Sequence, residues 1–255
     1  MPYRIAAALV CTLALVAPAA AIVGGAEVAS EAVARHVVMV VGARGSACTG
    51  TAVARDLVLT AAHCLQLGAG ARHTVVAPDA ARRPRLIRVE SFERHPEFDL
   101  ESAQAHRETA DVALVKLAEP LPARVSPAAL GGRDYFLIGD RFIVAGFGID
   151  IFRGAGSFGT LRAALLMTMQ HPSSLQLRLA DPATRGETAG LGVCSGDSGG
   201  PVFEDTGGRL LLVAVISWST GPSVAGCGGL TGVTPLGLVR GWIRDTAEKL
   251  GSPLQ

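Results

Sequence analysis

For most of its length the chain alternates short apolar runs with clusters of Gly, Pro, Asp and Ser. "VVMVV", Val37 to Val41, is a β-branched run of strand length. "TAVARDLVLTAAHC", Thr51 to Cys64, has two apolar halves about Arg55-Asp56 and predicts a hairpin. "DVALVKL" (111–117), "FLIGDRFIVAGFG" (136–148), "LRAALLMTM" (161–169) and "RLLLVAVISW" (209–218) continue the pattern between turn residues. Many short strands with frequent turns predict an all-β sandwich or barrels. The period changes only near the end. Leu238, Trp242, Ile243, Thr246 and Leu250 recur at helical spacing, with Arg244, Asp245, Glu248 and Lys249 between them, which predicts one amphipathic C-terminal helix. "AEPLPARVSP", Ala118 to Pro127, is a proline-rich connector that divides the strands into halves, 22–118 and 128–255.

Residues 1–21 have a different texture. Arg4 precedes the apolar stretch Ile5 to Val16, Pro18 breaks it, and Ala19-Ala20-Ala21 offers small residues of the A-x-A type. The stretch is shorter than the ~20 residues that cross a bilayer. A buried N-terminal helix is the alternative; the charged start and the cleavage-site residues favour an export signal, leaving 22–255 as the mature chain, secreted or periplasmic. The net charge is +1, which gives no reason to expect nucleic acid or an anionic membrane surface as a partner. Alanine abundance, and arginine far in excess of Lys116 and Lys249, point to a GC-rich, bacterial source.

Export changes how the cysteines read. Cys11 leaves with the signal, and Cys48, Cys64, Cys194 and Cys227 remain. An even count in an oxidising compartment suggests two disulfides, for which spacing alone leaves all three pairings open. A metal site including His63 is the rival, but the C-x₂₋₄-C spacing of zinc ligands is absent.

Three separated motifs carry chemistry: His63 in "LTAAHC", Asp111 opening "DVALVKL", and Ser198 within "GDSGGP", Gly196 to Pro201. A serine hydroxyl needs a base to take its proton, and that base needs a partner to fix its tautomer. Each residue alone has an ordinary reading, as a turn serine, a strand cap or a packed histidine. His36, His73, His95, His106 and His171 have no motif about them and read as surface or structural residues.

Together with "IVGG" at Ile22 and "SW" at Ser217-Trp218, these motifs closely resemble the chymotrypsin/trypsin family of serine endopeptidases, in order and over nearly the whole mature chain. The resemblance implies two antiparallel six-stranded β-barrels and a C-terminal α-helix. It implies Ser198 as nucleophile, His63 as general base and then acid, and Asp111 as its orienting partner. It further implies an oxyanion hole from the backbone N–H groups of Gly196 and Ser198, and disulfides Cys48–Cys64 and Cys194–Cys227. The family's active form pairs a free α-amino group, here that of Ile22, with the aspartate before the nucleophile, Asp197. Signal cleavage between Ala21 and Ile22 would itself create that terminus. Cleavage after Ala19 would displace the charge by up to roughly 7 Å.

The resemblance places Gly192 at the base of the primary pocket, with Val193 beside it and Ser217, Trp218 and Ser219 along one side. Gly192 is uncharged, so cleavage is expected after uncharged apolar residues rather than Arg or Lys, with Leu, Met or Val favoured over Phe. Gly228 and Gly229 suggest an open opposite wall. No cofactor and no metal are expected. The segment Arg72–Arg88, where calcium-binding relatives place acidic ligands, offers only Asp79. Polypeptide substrates and a monomer, free of the membrane once the signal is removed, complete the expectation. A catalytically silent, protease-like binding protein is the alternative.

Overall fold

The computed structural model describes residues 22–254 apart from 44, 66–71, 149–158, 172 and 222–225; the expected signal lies outside the described residues. The chain runs β1 (Glu27–Val28), α1 (Glu31–Ala34), β2 (Val37–Gly42), β3 (Ala47–Ala54), β4 (Leu57–Thr60), β5 (His73–Pro78), β6 (Pro84–Arg94), α2 (Leu100–Gln104) and β7 (Ala113–Leu117). It continues through β8 (Ala129–Leu130), β9 (Arg141–Gly146), β10 (Arg162–Gln170), β11 (Leu177–Ala180), β12 (Pro201–Asp205), β13 (Leu210–Ser219), β14 (Thr231–Pro235) and α3 (Arg240–Lys249).

Strands β2-β3-β4-β7-β6-β5 close one six-stranded antiparallel barrel. Strands β9-β10-β11-β14-β13-β12 form the second, closed by the pairings of β9 with both β10 and β12. The short β1 and β8 attach outside this ring, to β10 and β13. No helix among the described residues is long and apolar enough to cross a membrane.

Strand alternation explains where the core sits. In β5 the residues alternate buried and half-buried, the signature of one face inward. In β4 all four residues are buried, because both of its faces are covered. Val58 points into the first barrel with Val38, Ala52, Val75 and Val115. Leu57 and Leu59 point the other way, into a cluster shared with Leu114, Phe203, Leu212, Val215 and Ile243. That second cluster glues the barrels together, and each fully buried Leu or Phe in it contributes ~1.5–3 kcal/mol. The residues flanking the two candidate polar groups belong to it: Ala61 and Cys64 about His63, Ala110 and Val112 about Asp111. The seam between barrels therefore fixes both side chains.

The hairpin about Arg55-Asp56 forms as expected, β3 to β4. Two expectations shift. "FLIGDRFIVAGFG" is a strand only from Arg141; Leu137 and Ile138 are 60% and 68% exposed on a turn. There Asp140 accepts from the Leu137 N–H at 2.8 Å and Gly139 takes φ +96°, so turn chemistry outweighs apolar content. The C-terminal helix starts at Arg240, leaving Leu238 exposed, and buries Ile243, Thr246 and Ala247.

Candidate active site

His63 sits on a single 3₁₀ turn, Ala62–Cys64, that follows β4. Its Nδ1 lies 2.7 Å from Asp111 Oδ2, and its backbone N–H donates to Asp111 Oδ1 at 3.0 Å. Asp111 is fully buried just before β7, and Ser217 Oγ donates to its Oδ2 at 2.5 Å. Three donors thus converge on one carboxylate. Burial works against its ionisation, but the His63 charge and these bonds outweigh burial and hold its pKa below the usual value. Burial also depresses His63, yet the Asp111 charge and hydrogen bond more than reverse this, and the net shift is upward. By contrast, burial leaves His36, His73 and His95 with lowered pKa values. With Nδ1–H committed to Asp111, the neutral His63 ring presents Nε2 as a free acceptor.

Ser198 lines the same cleft as His63, a space of about 310 Å³. Its Oγ is hydrogen-bonded to Ser217 O, at 3.4 Å, rather than to His63. Such loose contacts tighten when a substrate is bound. Ser198 follows a tight turn in which the Asp197 N–H donates to Cys194 O at 3.1 Å. Gly196, the third residue of that turn, has φ +97°. A type II turn requires positive φ at this position, hence glycine. The Gly199 backbone passes so close to β3 and β4 that a Cβ there would meet Thr60 Oγ1 at 2.1 Å and Thr49 O at 2.3 Å.

Asp197 is fully buried. Its carboxylate accepts from the N–H groups of Cys194 and Gly148, each at 2.8 Å, and of Ile22. Burial still pushes its pKa up to about 7, because the Ile22 nitrogen of the continuous chain is an amide and brings no charge. Ile22 is itself fully buried.

The cleft has one wall of Val193, Cys194 and Ser195 and another of Ile216 to Ser219; Leu100, Ala103, Gln104 and His106 roof it. Gly192 lies a layer beneath, paired with Val23, whose N–H donates to Gly192 O at 2.9 Å. Gly228 packs against Gly192, and the residue opposite Ser219 across the sheet is neither Gly228 nor Gly229 but Thr231, fully buried. Its Oγ1 accepts from the Val193 N–H at 3.5 Å, which links β14 to the Val193 wall.

Two residues, one behind the cleft wall and one lining the cleft, were not legible in sequence. Thr231 sits in a Gly-rich stretch whose register only strand pairing fixes. His106, read as surface or structural, lines the cleft on the loop of α2. The disulfides are Cys48–Cys64, beside His63, and Cys194–Cys227, between the turn and the far wall. Among the described residues, the His/Cys group compact enough to hold an ion, Cys48, His63 and Cys64, has both sulfurs in that first bond.

A sequence profile of the trypsin family matches residues 22–243, both barrels and the start of α3. The chain belongs to the trypsin family. A trypsin of Sarcophaga bullata is 28% identical over 244 residues, covering 90% of each chain. A trypsin-like protease of Streptomyces glaucescens is 30% identical over 198 residues, 72% of this chain and 69% of its own. Transmembrane protease serine 9 of Rattus norvegicus is 28% identical over 226 residues, 81% of this chain but 20% of its own length. The two closed barrels are the architecture of this family, and its enzymes are serine endopeptidases, hydrolases of peptide bonds.

Proposed function

We propose that the chain is an exported serine endopeptidase whose nucleophile is Ser198. His63 Nε2 takes the Ser198 proton as Oγ attacks the scissile carbonyl carbon. The carbonyl π-bond electrons move to oxygen, and Asp111 stabilises the imidazolium. Backbone N–H groups of Gly196 and Ser198 stabilise the oxyanion. His63 then gives its proton to the leaving amine as the C–N bond breaks, and water repeats the sequence on the acyl-enzyme. The observation that carries this reading is the convergence of the His63 Nδ1, His63 N–H and Ser217 Oγ bonds on buried Asp111, beside the cleft shared with Ser198.

Activity requires the free α-ammonium of Ile22 opposite Asp197, which removal of residues 1–21 on export would create. The substrate is a polypeptide laid along Ser217–Ser219 as an added strand, with an uncharged apolar side chain before the cut. Val193, Thr231 and Ser219 offer no counter-charge, and burying a cation there would cost several kcal/mol. A fluorophosphonate probe tests the assignment. The mature protein should be labelled and the Ser198→Ala variant should not; labelling of the variant, or none of the wild type, overturns it.

A further inference from the structure

The buried hydroxyl of Thr49 joins the two barrels at the turn that carries Ser198. Thr49 lies on β3, is fully buried, and uses every polar atom. Its N–H donates to Ser198 O at 2.8 Å. Its carbonyl accepts from Thr60 Oγ1 at 2.8 Å. Its Oγ1 donates to Gly196 O at 2.8 Å and accepts from the Phe147 N–H at 3.0 Å. One residue of the first barrel thus holds the second barrel's turn on both sides of Asp197. Through Phe147 it also holds the segment whose next N–H, that of Gly148, binds Asp197 Oδ1.

We propose that Thr49 is a positioning residue for the oxyanion hole: its side-chain hydroxyl anchors the Gly196 carbonyl and so sets where the Gly196 N–H stands relative to the reacting carbonyl. The physical need is specific to this turn. Glycine populates φ of either sign with little penalty, so this turn keeps its Gly196 N–H in place only as well as its anchors do, and an oxyanion-hole donor acts only at hydrogen-bond distance from the developing charge. Asp197 restrains the turn from one end. Thr49 Oγ1 holds the carbonyl of Gly196, and with it the Gly196 Cα next to that N–H, against β3. The hydroxyl gives its one proton and receives one bond, which together set its orientation. Thr49 touches no substrate atom; it acts through Gly196. The proposal rests on the serine-peptidase reading and deepens it.

The test compares Thr49→Val and Thr49→Ser in the mature enzyme beginning at Ile22. Valine keeps the β-branched shape and removes the hydroxyl; serine keeps the hydroxyl. Removing an oxyanion donor outright lowers kcat about 10²–10³-fold, so loosening one should lower it about 10- to 100-fold in Thr49→Val, with KM within about twofold. Thr49→Ser should stay within about threefold of wild type, although its lost methyl lowers Tm. A peptidyl trifluoromethyl ketone supplies the spectroscopic signature: the pKa of its enzyme-bound hemiketal hydroxyl should rise in Thr49→Val and stay unchanged in Thr49→Ser. If the valine variant does not fold, Thr49→Ala serves in its place, with the same kcat loss and hemiketal shift expected. The proposal is overturned if serine loses as much kcat as valine, since packing would then be the cause. It is also overturned if the variants without hydroxyl keep wild-type kcat, or if their loss appears as a downward shift of the alkaline limb, which would place the effect on the Ile22–Asp197 pair. A wild-type protein that neither turns over nor is labelled at Ser198 sinks the peptidase reading itself; an active, labelled wild type leaves the variants to judge Thr49 alone.

Discussion

The ring of His106 lies 4.5 Å from that of Trp218 and within 13° of parallel. Beneath, Trp218 crosses Gly232 so closely that a Cβ there would meet its Cε2 at 2.0 Å. One face of the indole is thus against the sheet and the other under an imidazole. The loop that delivers His106 is firmly built. Asp99 caps α2 by accepting the Ser102 N–H at 2.7 Å, and Gln176 Nε2 donates to His106 O at 3.0 Å. A bulky substrate side chain seeking the Trp218 face must first displace this ring, and a stacked pair is worth ~0.5–1.5 kcal/mol. His106→Ala should therefore lower KM about 2- to 10-fold for peptides with a bulky residue two positions before the cut, with little change in kcat. The loop should hold, because its bond to Gln176 uses the backbone. An unchanged KM across a peptide series would show that substrate does not use this face.

The acid limb of activity should report His63. The ring must be neutral to accept the Ser198 proton, and the Asp111 charge and hydrogen bond raise its pKa from 6.5 against the pull of burial. The limb in kcat/KM should lie above pH 6.5 in the wild type. In Asp111→Asn it should fall toward or below 6.5, as burial alone is left, while kcat drops by about 10⁴-fold, the cost measured for this change in another protease. Stability has a matching sign. The raised His63 pKa contributes stability that is complete below its unfolded value and lost as pH rises through the folded one. The lowered Asp111 pKa contributes stability lost as pH falls through its folded value. A pH–rate profile with the limb unmoved by the Asn substitution would contradict the pairing.

How much of this was legible in sequence depends on range. The hairpin about Arg55-Asp56 and the helix about Ile243 follow from patterns within a dozen residues. The barrels also follow from the motif resemblance, since "TAAHC" and "GDSGGP" sit at fixed places in a shared architecture. Thr231 was hidden because its partner Ser219 lies across the segment 222–225, and register there comes from pairing that no local pattern encodes. His106 was hidden because only a short helix capped by Asp99 carries it over the cleft. Thr49 was hidden inside an ordinary strand: its hydroxyl reads as β propensity until the second barrel is docked against it. The exposed Leu137 and Ile138 misled in the opposite sense, since apolar content suggests burial while Gly139-Asp140 dictates a turn.

Adding one alanine before Ile22 should separate folding from activity. In the chain continuous through Ile22, burial pushes the Asp197 carboxyl up to about 7. A carboxyl with a raised folded pKa gives stability that is present below its unfolded value and lost as pH rises through about 7. The extended variant should therefore lose Tm between pH 5 and 8, by roughly 5–10 °C if an unpartnered buried charge costs ~3 kcal/mol. The enzyme beginning at Ile22 should not, because its ammonium neutralises Asp197. That amine, raised above its free value of ~8 by the pairing, loses its contribution only in alkali. The extended variant should also turn over at least tenfold more slowly at pH 8. Equal activity and parallel Tm profiles would rule out the ammonium model.

Thr231 should set the size of the residue accepted before the cut. Ser219 and Val193 line facing walls, and Thr231 reaches from beneath Ser219 to the Val193 N–H. Its side chain is fully buried, so it fills depth that a glycine would leave open. The wild type should prefer Ala, Val or Leu to Phe, and discriminate strongly against Arg because Gly192, Val193 and Thr231 supply no carboxylate. Thr231→Gly should invert the order within the apolar class. Each methylene of fit is worth ~1–3 kcal/mol, so kcat/KM for a Phe peptide should rise by about 10- to 100-fold relative to an Ala peptide. Thr231→Val tests the hydroxyl separately: it keeps the volume and leaves the Val193 N–H without a partner, so the size preference should persist while Tm falls. Matched peptides ending in Ala, Leu, Phe or Arg before the scissile bond measure all three enzymes. A wild-type preference for Arg would refute the uncharged pocket, and an unaltered Phe-to-Ala ratio in Thr231→Gly would mean that the side chain of Thr231 does not reach the substrate.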